Sequence, residues 1–263
     1  MLHRTLSFFI IAFSIIAAPS SMAFSQKHQL NLNDIKWPPF FFPQLESNNT
    51  GIAKDILNNC IGSMNYTIKY KSLPIKRTHL YMQSGELDVS VYSYKKSREQ
   101  FVVYGKEPIF KSQYGFASRA SDKIIITNIN DVYKYRFGHL AGLAHTPELM
   151  KIVEEKKITD DISEGYDLDA MFGQLLATPQ RFQLMANSKE TLKWRAKQLG
   201  VANQIHVHDF TLRVKPYFVT VSKYSKSIEY IDEFLKHIDQ CIVTMKKNGQ
   251  YQKILSSYGL TFE

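Results

Sequence analysis

Two apolar periods alternate along almost the whole chain, and this constrains its fold more than any other feature. Segments of period two, as in strands, take turns with segments near period 3.6, as in helices. Residues 30–35 read as a strand, stopped by Trp37-Pro38-Pro39. Ile52, Ile56, Leu57 and Ile61 then recur at helical spacing over 51–64. Tyr66, Ile68 and Tyr70 alternate with Thr67, Lys69 and Lys71, as in a strand. A helix over 78–84 is closed by Gly85, and short strands follow over 87–92 and 101–104. The order strand, helix, strand, helix, strand predicts an α/β unit with parallel pairing.

The middle of the chain repeats the pattern. Strands are expected over 123–127, 136–140, 182–185, 204–207 and 217–221. A helix is expected after Thr146-Pro147, with Thr as N-cap and Pro in the first turn, and another over 167–176. Ile228, Ile231, Phe234, Leu235, Ile238, Ile242 and Met245 mark one face of a long amphipathic helix ended by Asn248-Gly249, and a short helix covers 251–258. There is no internal repeat, low-complexity tract or flexible linker. Two α/β halves without a linker imply two lobes joined by crossing strands, with a ligand cleft between them.

The N-terminus reads as a secretory signal peptide over residues 1–23. It has a basic start at Arg4, an apolar core over 6–18 and Ser21-Met22-Ala23 before the cut, with Ser25 as an alternative cut site. The apolar run is too short to span a bilayer, which takes about 20 residues. No cysteine lies near the cut to carry lipid, so a soluble protein working outside the cytoplasm is expected, and it is expected to be a monomer. The formal charge of +9 comes from 33 basic and 24 acidic residues spread along the chain without a dense block, which argues against nucleic acid as a partner. The two cysteines, Cys60 and Cys241, sit at apolar helical positions. They read either as two buried hydrophobes or as a disulfide pair.

A series of motifs, in order over nearly the whole mature chain, resembles the periplasmic solute-binding proteins of the polar amino-acid ABC importer type, the bacterial extracellular solute-binding proteins of family 3. The motifs are Asp34-Ile-Lys-Trp-Pro-Pro-Phe40, Gly51-Ile-Ala-Lys-Asp55, Gly85-Glu-Leu-Asp88, Ser97-Arg98-Glu99 with the following Phe101–Tyr104 and Pro108–Phe110, the stretch from Asp131 to Gly142, and Asn248-Gly-Gln-Tyr251 with Tyr258-Gly259. The resemblance implies a two-lobed type II periplasmic-binding-protein fold with two crossing hinge strands. Lobe 1 would hold 24–111 and 218–263, and lobe 2 would hold 112–217. Both cysteine helices then fall in lobe 1, which brings a disulfide within geometric reach.

The resemblance also implies site residues. Arg98 would grip a ligand carboxylate with its planar fork, and Ser93 would hydrogen-bond the same group. Trp37 would pack on the ligand, beside Phe40. Asp34 would receive polar ligand groups. Independently of the resemblance, the helix start after residues 142–146 either offers unpaired N–H groups to an anion, with His145 beside them, or is simply capped by Thr146. In amino-acid binders an acidic residue late in lobe 2 meets the ligand ammonium, whereas this chain offers Asn187 or Ser188 there. A small carboxylate-bearing ligand without that ammonium is therefore expected, captured by lobe closure and presented to the membrane permease of an ABC importer. Two alternatives share the fold: a ligand-presenting sensory partner acting on a sensor receptor, and a periplasmic enzyme resembling the cyclohexadienyl dehydratases, for which Glu46 and Glu107 are candidate acids. His206 and His208 on one strand face could begin a zinc site, but a third ligand is not evident. No motif for a cofactor, metal or catalytic nucleophile appears, and a non-enzymatic role is expected.

Overall fold

The computed structural model describes residues 28–43, 50–143 and 145–260. The signal-peptide segment and Glu46 lie outside these residues. Among the described residues no helix is long and apolar enough to cross a membrane.

An eight-stranded mixed sheet organises the chain. In chain order its strands are β1 (His28–Asp34), β2 (Tyr66–Ser72), β3 (Val89–Ser93), β4 (Val102–Arg119), β5 (Phe137–Leu140), β6 (Ile162–Gly165), β7 (Leu184–Ser188) and β8 (Ile205–Ser222). The helices are α1 (Ile52–Gly62), α2 (Ile75–Ser84), α3 (Pro147–Ile158), α4 (Leu168–Leu176), α5 (Lys189–Gln198), α6 (Ile231–Lys247) and α7 (Gln250–Ser257). The strand order is β2-β1-β3-β8-β4-β7-β5-β6. The parallel β1–β2, β1–β3, β5–β6 and β5–β7 pairs flank the antiparallel β4–β8 pair. The parallel pairs follow from helical crossovers such as β1-α1-β2, because the helix must return the chain to the same end of the sheet.

The apolar residues sort into separate cores on either side of the central pair. One core joins α1, α6 and α7 to β1, Val89, Ile109, Phe110, Val219 and Val221. In the other half, Phe116, Leu184 and Ala186 point to one cluster, while their neighbours Ala117 and Met185 point to another. Alternate residues of β4 and β7 thus bury opposite faces, as a strand covered on both sides requires. Cys60 on α1 and Cys241 on α6 form a disulfide with Cα atoms 5.7 Å apart.

Three sequence expectations are corrected. The short strands expected over 101–104, 204–207 and 217–221 are parts of two strands of 18 residues each, β4 and β8. Register shifts between Tyr104 and Pro108, and again near Tyr114 and Gly115, interrupt the period that would have revealed their length. Residues 123–127 are not a strand; Ile124 and Ile126 are buried as single anchors in the second core. Here alternation reports burial without a ladder. Helix α5 was not expected, because Lys189, Lys193, Arg195 and Lys197 mask its apolar period. Its buried apolar positions are Leu192, Trp194 and Ala196, and Ser188 caps it by accepting from the Thr191 N–H.

Candidate functional site

A cavity of about 1020 Å³ opens where the ends of β1 and β3 meet the central pair and the second half of the sheet. That is the upper end of the size usual for small-molecule sites, about 300–1,000 Å³. Its floor is aromatic. Trp37 stands at the turn after β1, fixed by hydrogen bonds from the Phe40 and Phe41 N–H groups to its carbonyl, both 2.9 Å. Its ring meets Tyr217 edge-on at 4.8 Å, and Tyr217 stacks on Phe110 at 5.1 Å. Large rings held in this way offer apolar surface without losing further rotamer freedom.

Arg98 lies in the short turn Lys96–Arg98 just past β3. One guanidinium nitrogen donates to the Ser93 carbonyl at 2.8 Å, and the plane lies over the Tyr92 ring at 4.6 Å. Among the described residues no carboxylate pairs with it. The group is oriented on one edge and keeps its other donors for a partner in the cavity. Ser93 lines the cavity as well. His79 is held by the Tyr92 hydroxyl at 2.9 Å, and its pKa is lowered by burial first and then by Arg98 and Lys95.

On the far wall, Asn187 at the end of β7 lines the cavity and is 8% exposed. Its Oδ1 accepts from the Ser188 N–H at 2.7 Å, so the amide has donors to offer the cavity. Ser188 does not line the cavity; its hydroxyl caps α5 and meets the Thr191 hydroxyl at 2.7 Å. Of the two residues between which the sequence could not choose, Asn187 is the one that faces the cavity.

Two of the sequence-predicted residues lie elsewhere. Asp34 is 2% exposed and ion-paired with the buried Lys54 at 2.6 Å, so it is built into the first core rather than facing a ligand. Its neighbours Asn33 and Ile35 line the cavity instead, as strand alternation requires. Phe40 is fully buried, stacked on Phe110 at 4.0 Å behind Trp37. His145 also stays out: it is 7% exposed within the second core, and burial pushes its pKa down to about 4. Thr146 does cap α3, accepting from the Leu149 N–H. Glu107 pairs with Lys246 at 2.5 Å, away from the cavity lining. His208 is buried against the Ser118 hydroxyl at 3.0 Å, and among the described residues no group of three ligating side chains could hold a metal.

Sequence reading missed other lining residues, among them Lys215 and Tyr217 on β8, Tyr114 on β4, and Thr191 and Trp194 on α5. The alternation Arg213, Lys215, Tyr217 was a period-two signal that could have flagged β8. Two contacts join the first wall to α5: the Thr191 hydroxyl donates to the Pro38 carbonyl at 2.9 Å, and Phe42 meets Trp194 edge-on at 5.0 Å.

Solved structures share this fold. One is the second substrate-binding domain of GlnP from Lactococcus lactis in its open conformation, with 20% identity, 89% of this chain and 96% of that one covered, and a TM-score of 0.63. Another is an ancestral arginine-binding protein bound to arginine, with 18% identity, 89% and 99% coverage and a TM-score of 0.62. A third is a histidine kinase sensor domain similar to periplasmic binding proteins, with 13% identity, 89% and 96% coverage and a TM-score of 0.62. No curated protein matches the sequence. The fold is the mixed α/β type II periplasmic-binding-protein fold. The description "Bacterial extracellular solute-binding proteins, family 3" matches residues 32–261, and the chain belongs to that family.

Proposed function

We propose that this protein captures a small carboxylate-bearing ligand in the periplasm and presents it to the membrane permease of an ABC importer. Family membership supports ligand binding. The single observation that carries the carboxylate is Arg98, held on the Ser93 carbonyl and the Tyr92 face without a carboxylate of its own. The two lobes, 24–111 with 218–263 and 112–217, would close about the central β4–β8 pair, so that binding energy selects the closed form a membrane partner reads.

The two acidic residues of the lining also serve the fold. Asp167 caps α4 by accepting from the Ala170 N–H at 2.8 Å, and Asp169 holds Arg195 through both oxygens. At the end of β7, Asn187 offers the cavity donors and no negative charge for a ligand ammonium. This supports an acid lacking the α-ammonium over an unmodified amino acid.

The test is calorimetry on the mature protein, using acids found by a thermal-shift screen of organic acids, aromatic acids and amino acids. Arg98→Ala should weaken binding of any hit by at least about tenfold, since a charge-assisted hydrogen bond contributes about 1.5–3 kcal/mol. Unchanged affinity overturns the carboxylate clamp. A sensory role is a second reading, supported by the likeness to a histidine kinase sensor domain. Stimulation of a permease's ATPase by the liganded protein favours transport over it. Turnover of prephenate or arogenate by the purified protein would overturn the non-enzymatic reading.

A further inference from the structure

Besides Arg98, the cavity lining includes Lys36, Arg195, which is paired with Asp169, and Lys215, which the single-carboxylate reading leaves unused. Lys215 lies on β8, two residues from Tyr217 and therefore on the same strand face, and Arg213 continues that face. The register confirms the stripe: Tyr217 opposes Phe110, Lys215 opposes Ser112 and Arg213 opposes Tyr114. Each cation sits against a ring, Lys215 at 5.9 Å from the Tyr217 centroid and Arg213 at 4.9 Å from that of Tyr114. Among the described residues neither has a carboxylate partner. The nearest buried acid on α5, Glu190, spends its two oxygens on the Ser112 hydroxyl and the Gln113 N–H.

Arg98 is tied to the same strand through a different route. Its anchor, the Ser93 carbonyl, belongs to the residue paired with Tyr217 across β3 and β8. Lys215 roots two positions farther along β8, about 7 Å away at strand rise. The Lys215 pKa is lowered by burial first and then by the positive charges of Arg213, Arg98 and Lys95. Two half-buried cations that repel each other and lack counter-charges are costly unless a ligand supplies them.

We propose that the ligand is a dicarboxylic acid without an amino group, one carboxylate on Arg98 and the other on Lys215, its middle lying against Trp37 and Tyr217. This rests on the carboxylate reading of the same cavity and adds the second acid. The volume of about 1020 Å³ leaves room for a spacer longer than an amino-acid side chain.

The test is a binding panel on the mature wild-type protein. It contains the straight-chain diacids from glutarate to suberate, the phthalate isomers, the monomethyl half-ester of each, and the common amino acids. At least one diacid should bind tenfold or more tighter than its half-ester. Lys215→Met should abolish that preference while keeping the half-ester affinity, and Lys215→Arg should restore it. Arg98→Ala should weaken diacid and half-ester alike. Half-esters binding as tightly as their diacids, or a preference that survives Lys215→Met in a variant with native circular dichroism, overturns the second subsite. In that event binding of the half-esters leaves the single-clamp reading standing, whereas binding of amino acids alone keeps the Arg98 clamp and overturns the ligand without an ammonium. If no panel member binds at all, both readings fall.

Discussion

Ionisable side chains divide here into those spent on the fold and those left for the cavity, and burial without a partner is what tells them apart. Asp34 and Lys54 neutralise each other inside the first core, and Lys54 also donates to the Phe42 carbonyl at 2.6 Å and lies over Tyr70. Arg98 and Lys215 rest on a carbonyl or a ring, and among the described residues neither pairs with a carboxylate. His145 shows a third outcome. Among the described residues neither ring nitrogen has a hydrogen-bond partner, and its pKa falls from 6.5 to about 4 because burial disfavours the cation, followed by His139 and Arg213. A folded pKa below the unfolded one stabilises the native state above pH 6.5, and that stability is lost as pH falls towards 4. Thermal melts across that window should show a loss that His145→Leu makes shallower, by an amount on the order of 3 kcal/mol. An unchanged slope in H145L would assign the acid sensitivity to other groups.

The elements carry the consequences of their ends and their crosslinks. The disulfide joins α1 to α6 across a sequence separation of 181 residues, so it closes a very long loop in the unfolded chain. Replacing both cysteines by Ala should lower unfolding free energy by about 2–5 kcal/mol in urea titrations. A variant as stable as the parent would mean that the packed helices already restrict the unfolded chain as far as the bond does. The unexpected helix α5 matters because its first turn bears on the cavity, and a polar sequence hid it. A Lys-rich helix with three buried apolar positions is held by packing and a cap more than by an obvious apolar stripe. The two long central strands were legible only as fragments, since Pro108, Pro216 and the register shifts break their period.

At the scale of the molecule, α5 and the turn after β1 face one another across the cavity, joined by the Thr191–Pro38 hydrogen bond and the Phe42–Trp194 contact. An aromatic pair of this kind contributes about 0.5–1.5 kcal/mol beyond its buried area. If lobe closure accompanies binding, Trp194→Ala should weaken ligand affinity by about five-fold and reduce the compaction seen by X-ray scattering on ligand addition. Wild-type protein that binds a ligand without compacting would count against closure.

Local periodicity determined much of this protein: the alternation of strands and helices, the α/β class, the amphipathic helix near the C-terminus, and the ordered motifs that mark the family. Those signals depend on neighbours two to four residues apart, which a single chain displays directly. Arg98 and Trp37 could be singled out because each stands inside such a motif. Tertiary structure alone decided that Asp34 turns inward, that Asn187 rather than Ser188 faces the cavity, and that Lys215 joins Arg98. These depend on which strand pairs with which and in what register, and a shift of one residue would exchange the faces of β8. Convergence of distant residues is set by register and packing, which no local pattern encodes.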